Sequence, residues 1–269
     1  MKKYTFFLLF STLLLCNCVS NDFEPEYQKE LLYDGYGIAI DTVGMKTYIA
    51  SQTNDSISKK QLYDETTKWY DQNGYHSMTH SVNYLPGGER ITTEKITRDK
   101  YSLPIAKDII IESAATEPLV TLSRLKSRKD GKEEWLFRHY LDPQKYLEDA
   151  STILYSEDKR IFKKQQGSDS LQIRGIDLFD NKGRITEQLP VNIEEKAPFT
   201  KTYYNPSHNY IDSIVSVFYE HNDSTQTIIE REVERYGYDW NEDSTPWRKY
   251  TYSNDSLVYV TEYEYGYRQ

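Results

Sequence analysis

Cysteine is nearly absent from this 269-residue chain: Cys16 and Cys18 are its 2 cysteines. A disulfide-rich scaffold and a four-cysteine metal site are therefore excluded. Glycine (12) and proline (9) are scarce, and no Gly-rich phosphate cradle or low-complexity linker is present. Basic residues are in deficit, 33 Lys and Arg against 42 Asp and Glu, for a net charge of −9. A nucleic-acid binder needs the opposite surplus to displace counterions from phosphates, so nucleic acid is not an expected partner. Phenylalanine is sparse as well, at 9 residues, whereas tyrosine reaches 25 and tryptophan 4. Tyrosine buries a ring and keeps its hydroxyl wet. A chain that relies on it has many half-buried positions, as on a thin sheet solvated on two sides.

Long apolar runs are missing except at the start. Lys2 and Lys3 precede a run from Tyr4 to Leu15 broken only by Ser11 and Thr12. Positive start and short apolar stretch are the pattern of a secretory signal peptide, too short to span a bilayer comfortably. The run ends in Leu15-Cys16-Asn17-Cys18. This resembles a bacterial lipobox, with Leu15 three residues before Cys18. The resemblance implies cleavage before Cys18 and acylation, palmitate included, of that residue. Several acyl chains on one residue anchor stably where one does not. It divides the chain into a signal peptide (1–17), an acidic tether (18–32) and a remaining domain (33–269). With Cys18 occupied, no thiol is left for a cysteine protease or redox role. The acids Asp22, Glu24 and Glu26 after the cysteine resemble the export signal of surface-exposed lipoproteins in the Bacteroidetes; a plain solvated tether has the same composition. The expected location is the outer membrane, on its periplasmic or cell-surface face.

From about residue 33 the pattern is that of strands. Leu257, Tyr259, Thr261, Tyr263, Tyr265 and Tyr267 alternate with Val258, Val260, Glu262 and Glu264, a period of two. Trp135, Phe137 and His139 alternate with Glu134, Leu136, Arg138 and Tyr140. The stretch from Ile211 to Tyr219 is apolar on both faces, which predicts a strand covered on both sides. Turn signals recur at Asn73-Gly74, Asp130-Gly131, Asn181-Lys182-Gly183 and in the Asn-Asp-Ser triplets ending at Ser56, Ser224 and Ser256. Ser58 to Tyr70 reads as a strand returned by Asn73-Gly74. Asp142-Pro143 before Gln144 to Ala150 predicts one short helix, with Asp as cap and Pro at its first position. The expected fold is all-β: a long antiparallel meander of successive hairpins forming a twisted sheet, with at most one or two short helices.

Two segments, Trp69-Tyr70-Asp71-Gln72-Asn73-Gly74-Tyr75 and Leu178-Phe179-Asp180-Asn181-Lys182-Gly183-Arg184, resemble YD repeats, the hairpin units of Rhs-type proteins. The resemblance implies hairpins in series: the aromatic closes a strand, Asp caps the turn and Gly takes a positive φ. It imports no toxin activity. With the leader, the chain is similar to Tyr-rich, YD-like secreted lipoproteins of the Bacteroidetes without assigned function. Asp followed by Ser or Thr and then an apolar residue or Thr resembles the O-glycosylation acceptor of the same bacteria. It occurs at Thr42, Ser56, Ser170, Ser213, Ser224, Ser244 and Ser256. Such a tripeptide also simply ends a turn and opens a strand, and Ser213, inside an expected strand, is the poorest acceptor.

Catalytic signatures are absent. His76 and His80 alternate, but a Zn²⁺ ion would need a further ligand and no free Cys exists. No Gly-x-Ser-x-Gly elbow or His-Glu-x-x-His motif occurs, and nothing selects a carboxylate pair with glycosidase spacing. No metal or cofactor is expected. Tyr259, Tyr263, Tyr265 and Tyr267 form the one ring-rich row that could stack on a sugar or receive a peptide. As the core face of the last strand they would have the same pattern. The favoured reading is an outer-membrane-anchored, surface-exposed lipoprotein with a non-enzymatic binding or scaffolding role, its partners the membrane through the lipid and a glycan or protein at the cell surface. The alternative is a glycan-binding or glycan-processing component using the Tyr row and a carboxylate pair.

Overall fold

The computed structural model describes residues 40–268, apart from 54–55, 115, 143, 156–158, 167–171, 183, 191–197, 208–209 and 223–224. Cys18 with its leader and tether, Ser170 and Ser224 lie outside the described residues.

Sixteen strands follow one another: β1 (Ile40–Thr53), β2 (Ser56–Tyr70), β3 (His76–Leu85), β4 (Gly88–Arg98), β5 (Pro104–Ser113), β6 (Thr116–Lys129), β7 (Lys132–Asp142), β8 (Lys145–Tyr155), β9 (Lys159–Gln166), β10 (Gln172–Phe179), β11 (Ile185–Pro190), β12 (Phe199–Tyr204), β13 (Ile211–Asn222), β14 (Thr225–Trp240), β15 (Pro246–Ser253) and β16 (Ser256–Tyr267). Each pairs antiparallel with its neighbours in the chain, and β1 pairs with β16 from Ile40↔Tyr267 to Ile49↔Tyr259. The sheet is a closed barrel. This corrects the open twisted meander: the accumulated twist brings first and last strands together, and closure removes both edges with their unpaired N–H and C=O groups.

Two further expectations are corrected. Among the described residues there is no helix. Asp142 does cap, but its Oδ1 accepts from the backbone N–H groups of Gln144 (2.8 Å) and Lys145 (2.9 Å) in a turn that leads into β8. The chain around 211–218 is not covered on both sides. β13 lies between β12 and β14 in a single-layered wall, and none of residues 211–218 is buried.

The end of the barrel that holds residue 40 is closed by a recurring Asx turn. The N–H of Asp71 donates to the carbonyl of Tyr75 (2.8 Å), and Asp71 Oδ1 accepts from the N–H groups of Asn73 (2.9 Å) and Tyr75 (3.0 Å). Asp180 accepts from Lys182 and Arg184 in the same way, and Asp99 from Tyr101 and Leu103. At Asn241 the backbone bond to Thr245 repeats at 2.8 Å. The position that Gly74 fills with φ 81° is taken by Ser102 (64°) and Ser244 (66°) in two of these turns.

Register sorts the side chains into two faces. Ile96, Lys107, Ser123, Phe137 and Asp149 are successive in-register neighbours across β4 to β8. One residue away, Lys95, Asp108, Leu122, Arg138 and Glu148 form the corresponding row on the opposite face. The first row is concave: with its neighbours it lines a single cavity fed by six consecutive strands, which only converging side chains can do. A barrel of sixteen strands is too wide for side chains to fill, so burial is local. Ile40, Val43 and Tyr70 form one small core, with Met45, Tyr263 and Tyr265 against it; Ala50, Leu257 and Val260 form another.

Candidate functional site

The concave cavity has a volume of about 260 Å³. Its apolar lining is Ile96, Pro104, Trp135, Phe137 and Ile153, and its polar lining His76, Glu94, Arg98, Lys107 and Ser123. Alternation delivers these groups: Trp135 and Phe137 are two apart on β7, Glu94 and Ile96 two apart on β4, and both pairs face the same way.

A buried carboxylate braces the aromatic wall. Glu133, 1% exposed, accepts hydrogen bonds from Trp135 Nε1 (2.9 Å), Arg128 Nε (2.6 Å) and the Tyr155 hydroxyl (3.1 Å). Arg128 also donates to the Pro104 carbonyl at 2.6 Å. A buried charge that is paired and hydrogen-bonded avoids the desolvation penalty of an isolated one, and here it fixes the indole in one orientation. On the other side, Arg98 donates to the carbonyls of His76 (2.8 Å) and Ser102 (3.0 Å), its guanidinium 5.2 Å from the Tyr75 ring. Lys107 Nζ lies 3.0 Å from Glu94 Oε1. The result is an apolar slot with one ammonium–carboxylate pair at its rim, a shape suited to holding a small molecule by a flat body and one polar group.

The convex face is laced with ion pairs between neighbouring strands. Lys46 meets Glu65 (3.1 Å), Arg138 meets Glu148 (3.1 Å), Lys201 meets Glu187 (3.0 Å) and Arg248 meets Glu262 (3.0 Å); Arg124 pairs with Asp108 and Lys59 with Glu262. The Tyr84 hydroxyl donates to Glu65 at 2.6 Å. That bond pushes the Tyr84 pKa up to about 12 and, with Lys46, holds the Glu65 carboxyl below its ordinary range.

No protein-family model and no curated protein matches the chain. Among solved structures, it is similar to a porin-like protein from Bacteroides uniformis, with a TM-score of 0.40 and 10% identity, over 84% of this chain and 98% of that one.

The tyrosine row is placed as follows. Tyr263 and Tyr265 stack on each other (centroids 6.3 Å, 10°) and pack on the Val43 core. Tyr259 lies against Tyr63 across β1 (5.3 Å), and the Tyr267 hydroxyl donates to Asp243 (2.7 Å). Ser56, Ser244 and Ser256 are exposed at or beside turns, whereas Thr42 and Ser213 sit inside strands paired on both sides. His76 and His80 engage different threonines, Thr79 (2.6 Å) and Thr93 (3.1 Å), and only His76 borders the cavity. The cavity itself was invisible in the sequence. Alternation around Trp135 marks a strand face, but nothing local says that β4 and β7 face a common space.

Proposed function

We propose that the barrel is a lipid-anchored envelope protein that stands in water beside the outer membrane, held by acylated Cys18, and binds a small molecule on its concave wall without acting as an enzyme. The observation that carries this reading is the convex face. In a bilayer-spanning barrel the outward band is apolar, and an Arg or Lys on it at the bilayer midplane costs about 2–4 kcal/mol. Here Lys46, Arg124, Arg138, Lys201 and Arg248 stand outward within their strands, each paired with a carboxylate of a neighbouring strand. At up to about 2–4 kcal/mol each, the five together would cost an amount comparable to the roughly 5–15 kcal/mol by which a domain is stable. In water such pairs are close to neutral and keep the sheet soluble.

The test is fractionation of cells expressing the wild type beside residues 19–269 carried behind a leader that is cleaved without a lipidated cysteine. Wild-type protein is expected in the membrane fraction and the cysteine-free form in the soluble fraction without detergent. A cysteine-free form that still needs detergent for release contradicts the anchored barrel.

A further inference from the structure

Register sets a charged wall and an aromatic wall on either side of a short floor in the concave cavity. Lys107 of β5 and Phe137 of β7 both stand in register with Ser123 of β6. Two strand spacings separate them, roughly 9–10 Å. Ser123 between them is buried and too small to fill that span. Ile96 flanks Lys107 on its other side. Phe137 and Ile96 are only half-buried and both border the cavity, so each offers apolar surface to an occupant. The polar groups of the lining differ in what holds them. Arg98 donates to the backbone carbonyls of His76 and Ser102, and His76 engages Thr79. Lys107 and Glu94 hold each other at 3.0 Å, and both groups are partly in water.

An ion pair whose two groups touch water contributes little, so it opens to a ligand at little cost. Opening leaves a cation and an anion side by side. A ligand with one charge satisfies one of them and strands the other, and a neutral ligand satisfies neither. A ligand with an ammonium and a carboxylate on one carbon replaces the pair by two charge-assisted hydrogen bonds. The cavity, at about 260 Å³, lies below the roughly 300–1,000 Å³ of sites for drug-sized ligands, which limits the occupant to a single residue. Taking the concave wall as the small-molecule site proposed above, we infer that it binds a free α-amino acid with a flat apolar side chain. The carboxylate sits on Lys107 Nζ and the ammonium on Glu94. The side chain crosses Ser123 to lie against Phe137, where ring contact adds to apolar burial.

The probe is L-phenylalanine, titrated calorimetrically into the purified mature protein. Its single-charge analogues are 3-phenylpropanoate, which lacks the ammonium, and 2-phenylethylamine, which lacks the carboxylate. Saturable binding of L-phenylalanine is expected, at least tenfold tighter than that of either analogue. K107M and E94Q each weaken it at least tenfold, and K201M on the convex face leaves it unchanged. Each variant also loses one discrimination: K107M binds L-phenylalanine and 2-phenylethylamine alike, and E94Q binds L-phenylalanine and 3-phenylpropanoate alike. A merely structural role for the pair would not produce that crossed pattern. If either variant does not fold, K107Q or E94A takes its place. L-phenylalanine affinity unchanged in these variants, or no tighter than that of an analogue, overturns the inference; saturable binding of the analogues then leaves the small-molecule reading standing. No saturable binding of any of the three overturns the inference and removes its support for a ligand on this wall, while fractionation decides the anchored barrel separately.

Discussion

Thr42 and Gly266 face each other across the seam where the first strand meets the last, and the Thr42 hydroxyl fills the space that a Cβ on Gly266 would need. Gly266 is therefore a packing requirement of closure: its φ is not in the left-handed region, and the hydroxyl leaves no room for a side chain.

G266A should force Thr42 out of its place and cost about 1–3 kcal/mol, the usual range for overpacking. T42A in the same chain should recover most of that loss, because the two sites share one volume. Urea denaturation of the two single variants and the double variant reads the coupling, and additive losses would contradict the seam geometry.

Glu133 collects donors from Arg128, Trp135 and Tyr155. E133A leaves the Trp135 and Tyr155 donors without their acceptor while Arg128 keeps Asp99 (3.3 Å), and should destabilise by about 1–3 kcal/mol. E133Q, which keeps acceptor capacity, should lose less. Denaturation midpoints check the order, and the emission of Trp135 should shift only in E133A if the carboxylate holds the indole.

Ser244 adopts a left-handed backbone (φ 66°) in the turn before β15. Glycine bears that conformation without the Cβ penalty, so S244G should stabilise by about 0.5–1 kcal/mol. A lower thermal midpoint for S244G would show that the serine contributes something the turn geometry does not contain.

Glu262 carries the acid dependence of the convex face. Lys59 and Arg248 hold its pKa below the ordinary carboxylate value, against the opposing effect of burial. Because the folded value lies below the unfolded one, the stabilisation is fully present above the unfolded pKa of about 4.3 and is lost as pH falls through the folded value. E262Q should flatten the acid limb of the stability profile below pH about 4.3 by less than about 1 kcal/mol, as befits a screened surface pair. An unchanged acid limb would contradict the pairing.

Strand content was legible because alternation is local. The rows Tyr259 to Tyr267 and Trp135 to His139 stand in β16 and β7 as their period indicates, but a register shift between Thr251 and Tyr252 turns Leu257 to the side of Val260, with which it packs, and away from Tyr259. Closure was not legible: pairing of Met45 with Tyr263 joins residues from the two ends of the barrel domain, and no short-range pattern encodes it. Asp142-Pro143 misled because an Asp side chain accepting from the next N–H groups caps a helix and a turn alike. The tight turn at Asp130-Gly131, both residues at positive φ, was readable. Its relatives at Ser102 and Ser244 were not, since serine does not advertise that conformation. For the site, Trp135 was visible as a strand residue, but the buried Glu133 beneath it depends on curvature and register.

Binding on the concave wall requires the barrel to stand in water. Sedimentation of residues 19–269 in detergent-free buffer, with the far-ultraviolet spectrum recorded on the same sample, tests this most directly. A soluble species with a strand spectrum is the predicted result. A chain that aggregates without detergent and folds only in micelles would contradict it.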